Sequence, residues 1–328
     1  MADQAGSETN HLPLILVHRL PSFDLALTNI LQTHFRILDP LHSSQPLDSF
    51  LTSHAQSVRA LIVYALSPLT ADTIRLLPSL EVVVGTSAGV DHIDISECRN
   101  RGITVTNAGD AFAEDVADCA VALLIDVLRR VSAGDRYVRS GLWRLRGEYT
   151  LGSKLGGKRV GIVGLGRIGS QVAQRLMAFG CIIAYNSRKK KSSVQYPYYA
   201  KVCDLATNSD ILMVCCSLTS ETHHLINKEV MKALGKEGVI VNVGRGGLVD
   251  EQELIQLLTR EEIGGAGLDV FEEEPDVPGE LFALDNVVLS PHKAVLTPES
   301  IEAVFQLSLA NLKCFFSNEP LRSVVQQE

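Results

Sequence analysis

Cysteines at C-x-x-C spacing and apolar runs long enough to span a membrane are missing from this 328-residue sequence, and aromatic residues make up only 5% of it. The seven cysteines form no C-x-x-C pair and no zinc-ligand spacing, and their odd number argues against a disulfide framework. Free thiols in a reducing compartment are the simpler interpretation, and no bound metal is expected. No apolar run is long enough to cross a bilayer, so no transmembrane helix is predicted.

The sequence also has fewer basic than acidic residues. Lysine and arginine number 30 against 38 acidic residues, which gives a formal net charge of −8. Such a field repels nucleic acid and anionic membranes, so neither is expected as a partner. The polar start MADQAGSETNH lacks the features of signal and transit peptides, and the ending VVQQE lacks a peroxisomal S-K-L-type address. By elimination, the sequence predicts a cytoplasmic protein.

Apolar residues, at 46%, are sufficient for two hydrophobic cores, and the length favours two domains. Short apolar runs alternate with helical patterns over the first hundred residues, as in a small doubly wound α/β domain. Strands are predicted at 14–17, 35–38, 60–63, 82–85 and 104–106, with helices at 23–33, 47–55, 70–77 and 93–101.

A glycine-rich turn follows the apolar run 160–163 and precedes a helical pattern. Its first glycine permits a tight turn, the second lets the backbone approach a pyrophosphate, and the third lets the helix pack on the strand. The anion would lie at the helix N-terminus, where backbone N–H groups are unpaired. A plain βα turn is the alternative, but the flanking strand and helix favour a dinucleotide site. Its predicted residues are Gly164, Gly166, Arg167, Ile168 and Gly169.

The strand predicted at 181–185 ends where a dinucleotide's adenosine ribose would bind. An NAD site usually has a carboxylate there, whereas this chain has Ser187, Arg188 and Lys189, followed by two more lysines. A guanidinium and a hydroxyl would bind a 2′-phosphate. An ordinary solvated basic loop is the alternative, but the position at the strand end favours NADPH over NADH.

The remaining chain predicts a helix over 111–131 and then a polar arm over 135–148 that contains the only tryptophan, Trp143. A last helix is predicted at 300–316. Further strands at 211–215, 239–243, 266–270 and 287–289 would complete a second parallel sheet. The predicted boundaries near 105 and 292 assign residues 1–105 with 293–328 to a substrate-binding domain and 106–292 to a Rossmann domain.

Three polar residues follow successive strands of the second predicted sheet, at the edge where open α/β sheets bind ligands: Arg245, Glu274 and His292. Arginine can hold the carboxylate of a 2-oxo acid, and histidine can supply a proton at neutral pH. A carboxylate beside that histidine favours its protonated form. Each residue alone has a structural explanation, but together behind a dinucleotide fold they favour catalysis.

The chain resembles the D-2-hydroxyacid dehydrogenase family over nearly its whole length. The resemblance rests on GLGRIG at 164–169, NVGRGGLVD at 242–250, GAGLDVFEEEP at 265–275 and SPH at 290–292. Within that family it is most similar to the plant NADPH-dependent hydroxyphenylpyruvate and glyoxylate/hydroxypyruvate reductases. The resemblance implies two doubly wound parallel-sheet domains, a flavodoxin-like substrate domain and a Rossmann cofactor domain, with a cleft between them.

The resemblance also implies roles for single residues. Arg245 would bind the substrate carboxylate and carbonyl, and Glu274 would pair with His292, the acid/base. The backbone N–H groups of Ala88 and Gly89 would hold the substrate. Family members are usually dimers, in some of which the position of Trp143 reaches the partner's active site. Further cofactor contacts are implied for Val116, Ser217, Thr222, Val243 and Asp269.

The predicted activity is therefore NADPH-dependent reduction of a small 2-oxo acid to the D-2-hydroxy acid. Glyoxylate, hydroxypyruvate and 4-hydroxyphenylpyruvate all stay open as substrates. A dinucleotide-sensing, corepressor-like dimer is the alternative from another class. Formate or phosphite oxidation is a second enzymatic alternative, and Glu274 argues against the formate branch because formate dehydrogenases have glutamine there.

Overall fold

The computed structural model of the chain describes residues 12–21 and 28–326. Its backbone contacts divide the chain into two compact units. Unit 1 comprises Met1–Phe112 with Pro298–Glu328, and unit 2 comprises Ala113–Thr297. Each change of unit coincides with the start of a long helix. The assignment of substrate binding to one unit and cofactor binding to the other stays a prediction.

Unit 1 contains a five-stranded parallel sheet in the order β2-β1-β3-β4-β5. This is the flavodoxin-like strand order, as the resemblance implies. Every residue of β3 and β4 is buried, which explains why these strands appear in the sequence as continuous apolar runs. The strands are β1 Leu14–His18, β2 Arg36–Leu38, β3 Ala60–Val63, β4 Val82–Gly85 and β5 Thr104–Thr106.

Helices cover the sheet of unit 1. The last of them supplies Phe305, Leu309 and Leu312 to one core cluster with Ile15 of β1 and Ile62 of β3. The helix predicted at 23–33 lies partly outside the described residues. Its described part is Thr28–Gln32. The helices are α1 Thr28–Gln32, α2 Leu47–His54, α3 Ala71–Arg75, α4 Ile95–Asn100 and, at the end of the chain, Pro298–Phe316.

Unit 2 contains a six-stranded parallel sheet in the order β11-β10-β9-β8-β6-β7. A single parallel bridge between Tyr185 and Tyr198 continues this sheet beyond β7. With that bridge counted as a minimal strand, the order contains the 3-2-1-4-5-6 arrangement of dinucleotide-binding folds. The strands are β6 Arg159–Val163, β7 Ile182–Asn186, β8 Ile211–Val214, β9 Val239–Asn242, β10 Gly265–Leu268 and β11 Val287–Leu289.

The polar stretch predicted as an arm forms two short helices, Val131–Arg139 and Leu142–Arg146, and Trp143 is 62% exposed. The helices of unit 2 are α5 Ala113–Arg129, α6 Val131–Arg139, α7 Leu142–Arg146, α8 Arg167–Ala178, α9 Val202–Thr207, α10 Lys228–Leu234 and α11 Glu251–Thr259, so that Pro298–Phe316 is α12. Within the described residues, none of these helices is long and apolar enough to span a membrane.

Candidate active site

The glycine turn after β6 is packed too tightly for any other residue at two of its positions. Gly164 has φ +93°, and a Cβ there would lie 2.6 Å from the backbone of Cys216. A Cβ on Gly169 would lie 2.2 Å from the carbonyl oxygen of Gly164. The first and third glycines therefore have the packing roles that the spacing predicts: a sharp turn and a close approach of helix to strand.

The second glycine, Gly166, occupies the N-cap position of α8, and no atom lies within 4 Å of a Cβ built on it. No side chain among the described residues caps this helix. The N-terminus of α8, which begins at Arg167, is therefore not capped by a side chain, and its first N–H groups can bind an anion. Arg167 is exposed and Ile168 is half-buried beside them. This cradle fits the pyrophosphate of a dinucleotide.

The basic segment beyond β7 forms a compact turn. The hydroxyl of Ser187 donates to the carbonyl of Lys189 at 2.7 Å, and the side chains of Arg188 and Lys189 are exposed. Ser187 can still accept a hydrogen bond, and the two cations stand at the end of the strand where the sequence predicts a 2′-phosphate.

Two tyrosines hold this turn from the protein side. The hydroxyl of the buried Tyr185 accepts from the N–H of Lys191 at 2.8 Å, and the hydroxyl of Tyr198 donates to the carbonyl of Ser187 at 3.2 Å. The two rings are 5.4 Å apart. We call Tyr185 and Tyr198 the tyrosine clamp. It holds both ends of the basic turn by hydrogen bonds within the protein.

Four more predicted cofactor residues lie in unit 2, three of them after β8 or β9 and one in α5. The hydroxyl of Thr222 donates to the carbonyl of Ser217 at 2.8 Å, which closes the turn after β8. The side chains of Val116, early in α5, and Val243, directly after β9, are buried. Their contact with a cofactor stays a prediction.

Arg245 follows β9 in extended conformation and immediately precedes a short 3-10 helix, Gly246–Leu248. Its carbonyl accepts from the side-chain amide of Asn242 at 2.8 Å, and the side-chain carbonyl of Asn242 accepts from the N–H of Gly244 at 3.0 Å. The buried Asn242 therefore shapes the backbone that presents Arg245 at the carboxyl end of the sheet. Arg245 as a whole is half-buried.

Glu274 and His292 form the pair that the sequence predicts. Oε2 of Glu274 is 2.7 Å from Nδ1 of His292, and Oε1 accepts from the N–H of Phe271 at 3.0 Å. Partial burial alone would raise the pKa of Glu274, but the hydrogen bonds from His292 and Phe271 and the charge of Arg245 outweigh it. The pKa of Glu274 therefore lies below its usual value, and the residue is a carboxylate at neutral pH.

Asp269 organises the turn that carries His292. One carboxylate oxygen accepts from the hydroxyl of Ser290 at 2.5 Å and from the N–H of Lys293 at 3.0 Å, and the other accepts from the N–H of Ala294 at 3.1 Å. The Asp269 carbonyl accepts from the N–H of His292 at 2.7 Å. Asp269 is buried, and its contact with a cofactor stays a prediction.

The predicted substrate loop of unit 1 follows β4. The carbonyl of Ala88 accepts from the side-chain amide of Asn107 at 2.9 Å, and the carbonyl of Gly89 accepts from the hydroxyl of Ser87 at 2.7 Å. Within the described residues, no protein group accepts from the N–H of Ala88 or of Gly89. The loop is held by its carbonyls, and its N–H groups are available for an anion.

Comparison with known proteins places this site in a family. The model of the "D-isomer specific 2-hydroxyacid dehydrogenase, NAD binding domain" matches residues 121–294, more than half of the chain. The chain belongs to the D-isomer specific 2-hydroxyacid dehydrogenases. Arg245, Glu274 and His292 lie in the motifs that carry the resemblance, and the geometry brings the last two together in the dehydrogenase fold.

Similar members of this dehydrogenase family include plant enzymes. The chain is 57% identical to glyoxylate/hydroxypyruvate reductase HPR3 of Arabidopsis thaliana, over 98% of this chain and 99% of the relative. It is 49% identical to hydroxyphenylpyruvate reductase of Plectranthus scutellarioides, over 84% of this chain and 88% of the relative. Among solved structures, an NADPH-dependent glyoxylate/hydroxypyruvate reductase of Sinorhizobium meliloti in complex with NADP and malonate has a TM-score of 0.88 at 35% identity, over 96% of this chain and 97% of that one.

Sequence reasoning did not identify the residues that support the site. The tyrosine clamp and His224 lie outside the family motifs. Glu272 lies inside one of them, at 265–275, but has no assigned role there. The paired Tyr185 and Tyr198, on either side of the basic run, were a detectable signal, because aromatic hydroxyls that are withdrawn from solvent need partners nearby. The contact between His224 and Glu272 joins residues 48 positions apart, and no local pattern indicates it.

Proposed function

We propose that this protein is an NADPH-dependent reductase that converts a small 2-oxo acid to the D-2-hydroxy acid. The observation that carries the proposal is the Glu274–His292 pair, held beside Arg245 at the carboxyl edge of a dinucleotide-binding sheet. The names of the plant relatives support the same activity, with glyoxylate, hydroxypyruvate or hydroxyphenylpyruvate as the acid.

In this proposal each residue of the site has a separate role in binding or proton transfer. Arg245, with the N–H groups of Ala88 and Gly89, binds the carboxylate of the acid, and Arg245 also polarises its carbonyl. The bound nicotinamide cofactor supplies the hydride. His292 donates a proton to the carbonyl oxygen as it becomes a hydroxyl, and the hydrogen bond from the ring to the carboxylate of Glu274 holds the imidazole in position for that transfer.

The cofactor is held by the glycine turn and the basic segment. The open N-terminus of α8 binds the pyrophosphate, and Gly166 lets it approach the backbone. Ser187, Arg188 and Lys189 bind the 2′-phosphate, which gives the preference for NADPH. The similar reductase of Sinorhizobium meliloti is NADPH-dependent and was solved in complex with NADP, which supports this cofactor.

The proposal also includes a homodimer and a location in the cytosol. The exposed Trp143 and the apolar side chains near it, Val138 and Leu145, fit a homodimer contact through α6 and α7. All seven cysteines are free, which fits a reducing compartment such as the cytosol.

The test is oxidation of NADPH, in parallel with NADH, by the purified protein in the presence of each of the three 2-oxo acids. Turnover with NADPH and the two small acids alone would define a glyoxylate/hydroxypyruvate reductase. Turnover with the aromatic acid would define a hydroxyphenylpyruvate reductase. Tight NADPH binding without turnover of any acid would contradict the proposal and favour a dinucleotide sensor.

A further inference from the structure

His224 contacts the loop that carries Arg245 through its backbone. The residue has φ +50°, a left-handed conformation that few residues other than glycine adopt. In that conformation its N–H donates to the carbonyl of Gly247 at 2.8 Å, and two residues later Ile226 donates to Leu248 at 2.9 Å. The segment at 224–226 therefore runs alongside the 3-10 turn directly after Arg245.

The side chain of His224 contacts the loop that carries Glu274. Its Nε2 lies 2.7 Å from Oε1 of Glu272, two residues before Glu274. The same oxygen accepts from the N–H of Glu251 at 3.3 Å, and the N–H of Glu272 donates to the Glu251 carboxylate at 3.3 Å. Glu272 is thus held on one side by the start of α11 and on the other by His224.

The two loops also touch directly. A Cβ on Gly246 would lie 1.9 Å from the carbonyl carbon of Phe271. Phe271 in turn donates its N–H to Glu274 at 3.0 Å. A displacement of either loop would therefore change the position of Arg245 relative to Glu274, and with Glu274 that of His292.

We propose that His224 is a positioning residue, which fixes the loop of Arg245 and the loop of Glu274 relative to one another through its hydrogen bonds to Gly247 and Glu272. The proposal rests on the proposed reductase activity. Neither His224 nor Glu272 is assigned a contact with substrate or cofactor. Reactions of this kind lose rate steeply when catalytic groups move by about 1 Å, so a fixed spacing between the two loops has a direct effect on turnover.

A matched pair of variants separates this role from simple packing. His224→Gln keeps a side-chain N–H that can donate to Glu272, whereas His224→Met has a similar length and no donor. Both variants place a residue with a Cβ in the left-handed conformation of position 224, so any backbone strain is the same in the two. We expect His224→Met to lower kcat by about tenfold and to raise KM for the 2-oxo acid, because Arg245 binds its carboxylate. His224→Gln should stay within about threefold of the wild type in both constants.

Two controls complete the experiment. Glu272→Met removes the acceptor from the other side and should reproduce His224→Met. Glu273→Gln changes the next, exposed glutamate and should leave kcat and KM unchanged. The dissociation constant of NADPH, measured by fluorescence titration, should be the same in all four variants.

Hydrogen–deuterium exchange gives a readout that does not need turnover. Peptides covering 244–249 and 270–275 should exchange faster in His224→Met than in His224→Gln, while peptides of β6 and α8 stay unchanged. Equal kinetics and equal exchange in the two His224 variants would overturn the proposal. A parallel loss of NADPH binding and thermal stability in both would also overturn it, since that indicates a general structural role. A wild-type protein without turnover would contradict the proposed function, and the exchange data would still decide the positioning role.

Discussion

The imidazole of His292 depends on two carboxylates for its position and chemistry. Glu274 is hydrogen-bonded to the ring, and Asp269 holds the backbone turn on which the ring is mounted. The ring therefore has a fixed orientation and a charged partner before any substrate binds. Proton donation to a carbonyl oxygen requires both properties.

Replacement of His292 by alanine should abolish reduction while leaving cofactor binding intact. General acid catalysis contributes about 10² to 10⁴ in rate, so we expect kcat to fall by roughly 10³. The NADPH dissociation constant should change less than about twofold, because the proposed phosphate contacts lie elsewhere in the unit. Steady-state assays and a fluorescence titration measure the two quantities, and loss of both together would argue against a purely catalytic role.

Charge reversal at Arg188 should weaken NADPH far more than NADH. Hydrogen bonds to charged groups contribute about 1.5–3 kcal/mol, so Arg188→Asp should raise the NADPH dissociation constant by about 10- to 100-fold. Lys190→Asp makes the same charge change in the same exposed segment and is expected to have a smaller effect. Equal losses of NADPH and NADH in Arg188→Asp would contradict the phosphate assignment.

Among the secondary-structure elements, β7 and the segment after it determine the shape of the basic turn. Tyr185 is the fourth residue of β7, and its hydroxyl accepts from the N–H of Lys191. Tyr198 lies on the outer side of the same strand and donates to Ser187. The strand and its minimal neighbour thus orient the turn without contributing charge to it.

Tyr185→Phe should reduce the preference for a 2′-phosphate without changing any charge. Loss of the hydroxyl frees one end of the basic turn, and ordering it on binding would then cost affinity, by about three- to tenfold. Isothermal titration with adenosine 2′,5′-bisphosphate should show this loss, and titration with adenosine 5′-monophosphate should show none. Tyr196→Phe is the matched control, because its hydroxyl contacts Met177 and not the turn. An unchanged affinity for the bisphosphate in Tyr185→Phe would refute the role of the clamp.

The sequence predicts the strands well for a physical reason. Residues 60–63 and 82–85 are predicted with the bounds observed, because strands buried on both faces require continuous apolar runs. The glycine turn was equally predictable, since Gly164 and Gly169 allow no side chain. The helices Val131–Arg139 and Leu142–Arg146 were not predicted, because their polar, arginine-rich composition is also typical of an exposed arm.

The candidate site was predicted only in part. Arg245, Glu274 and His292 follow strands, so the order of residues along the chain indicates their common edge. The support of His292 by Asp269 and of Glu272 by His224 joins residues far apart in sequence. Such contacts depend on how loops from distant parts of the chain pack against one another, and periodicity carries no information about that packing.

Considered as a whole molecule, the chain builds unit 1 from two separated segments. Phe305 of α12 is 2% exposed and belongs to a core cluster with Ile15 and Ile62. The stability of the unit 1 sheet therefore depends on a helix that follows all of unit 2 in the chain.

Phe305→Ala should destabilise unit 1 by about 3–5 kcal/mol, because it leaves a cavity between α12 and the sheet. Native-state hydrogen exchange would detect this as faster exchange of the β1 and β3 amides, by about 100-fold or more. Ile301→Ala, at a position 39% exposed on the same helix, is the control and should change stability by no more than about 0.5 kcal/mol. Unchanged exchange in β1 and β3 of Phe305→Ala would show that α12 contributes little to the unit.

The split of unit 1 also sets an order of events on the ribosome. Residues 113–297, which form unit 2, are translated between β5 and α12. At about 5–20 residues per second, roughly 10–40 s pass before the last helix has been synthesised. During that interval the sheet face formed by Ile15, Ile62 and Val84 has no α12 to cover it. The nascent chain therefore carries an uncovered apolar surface for most of its synthesis, a surface of the kind that chaperones bind.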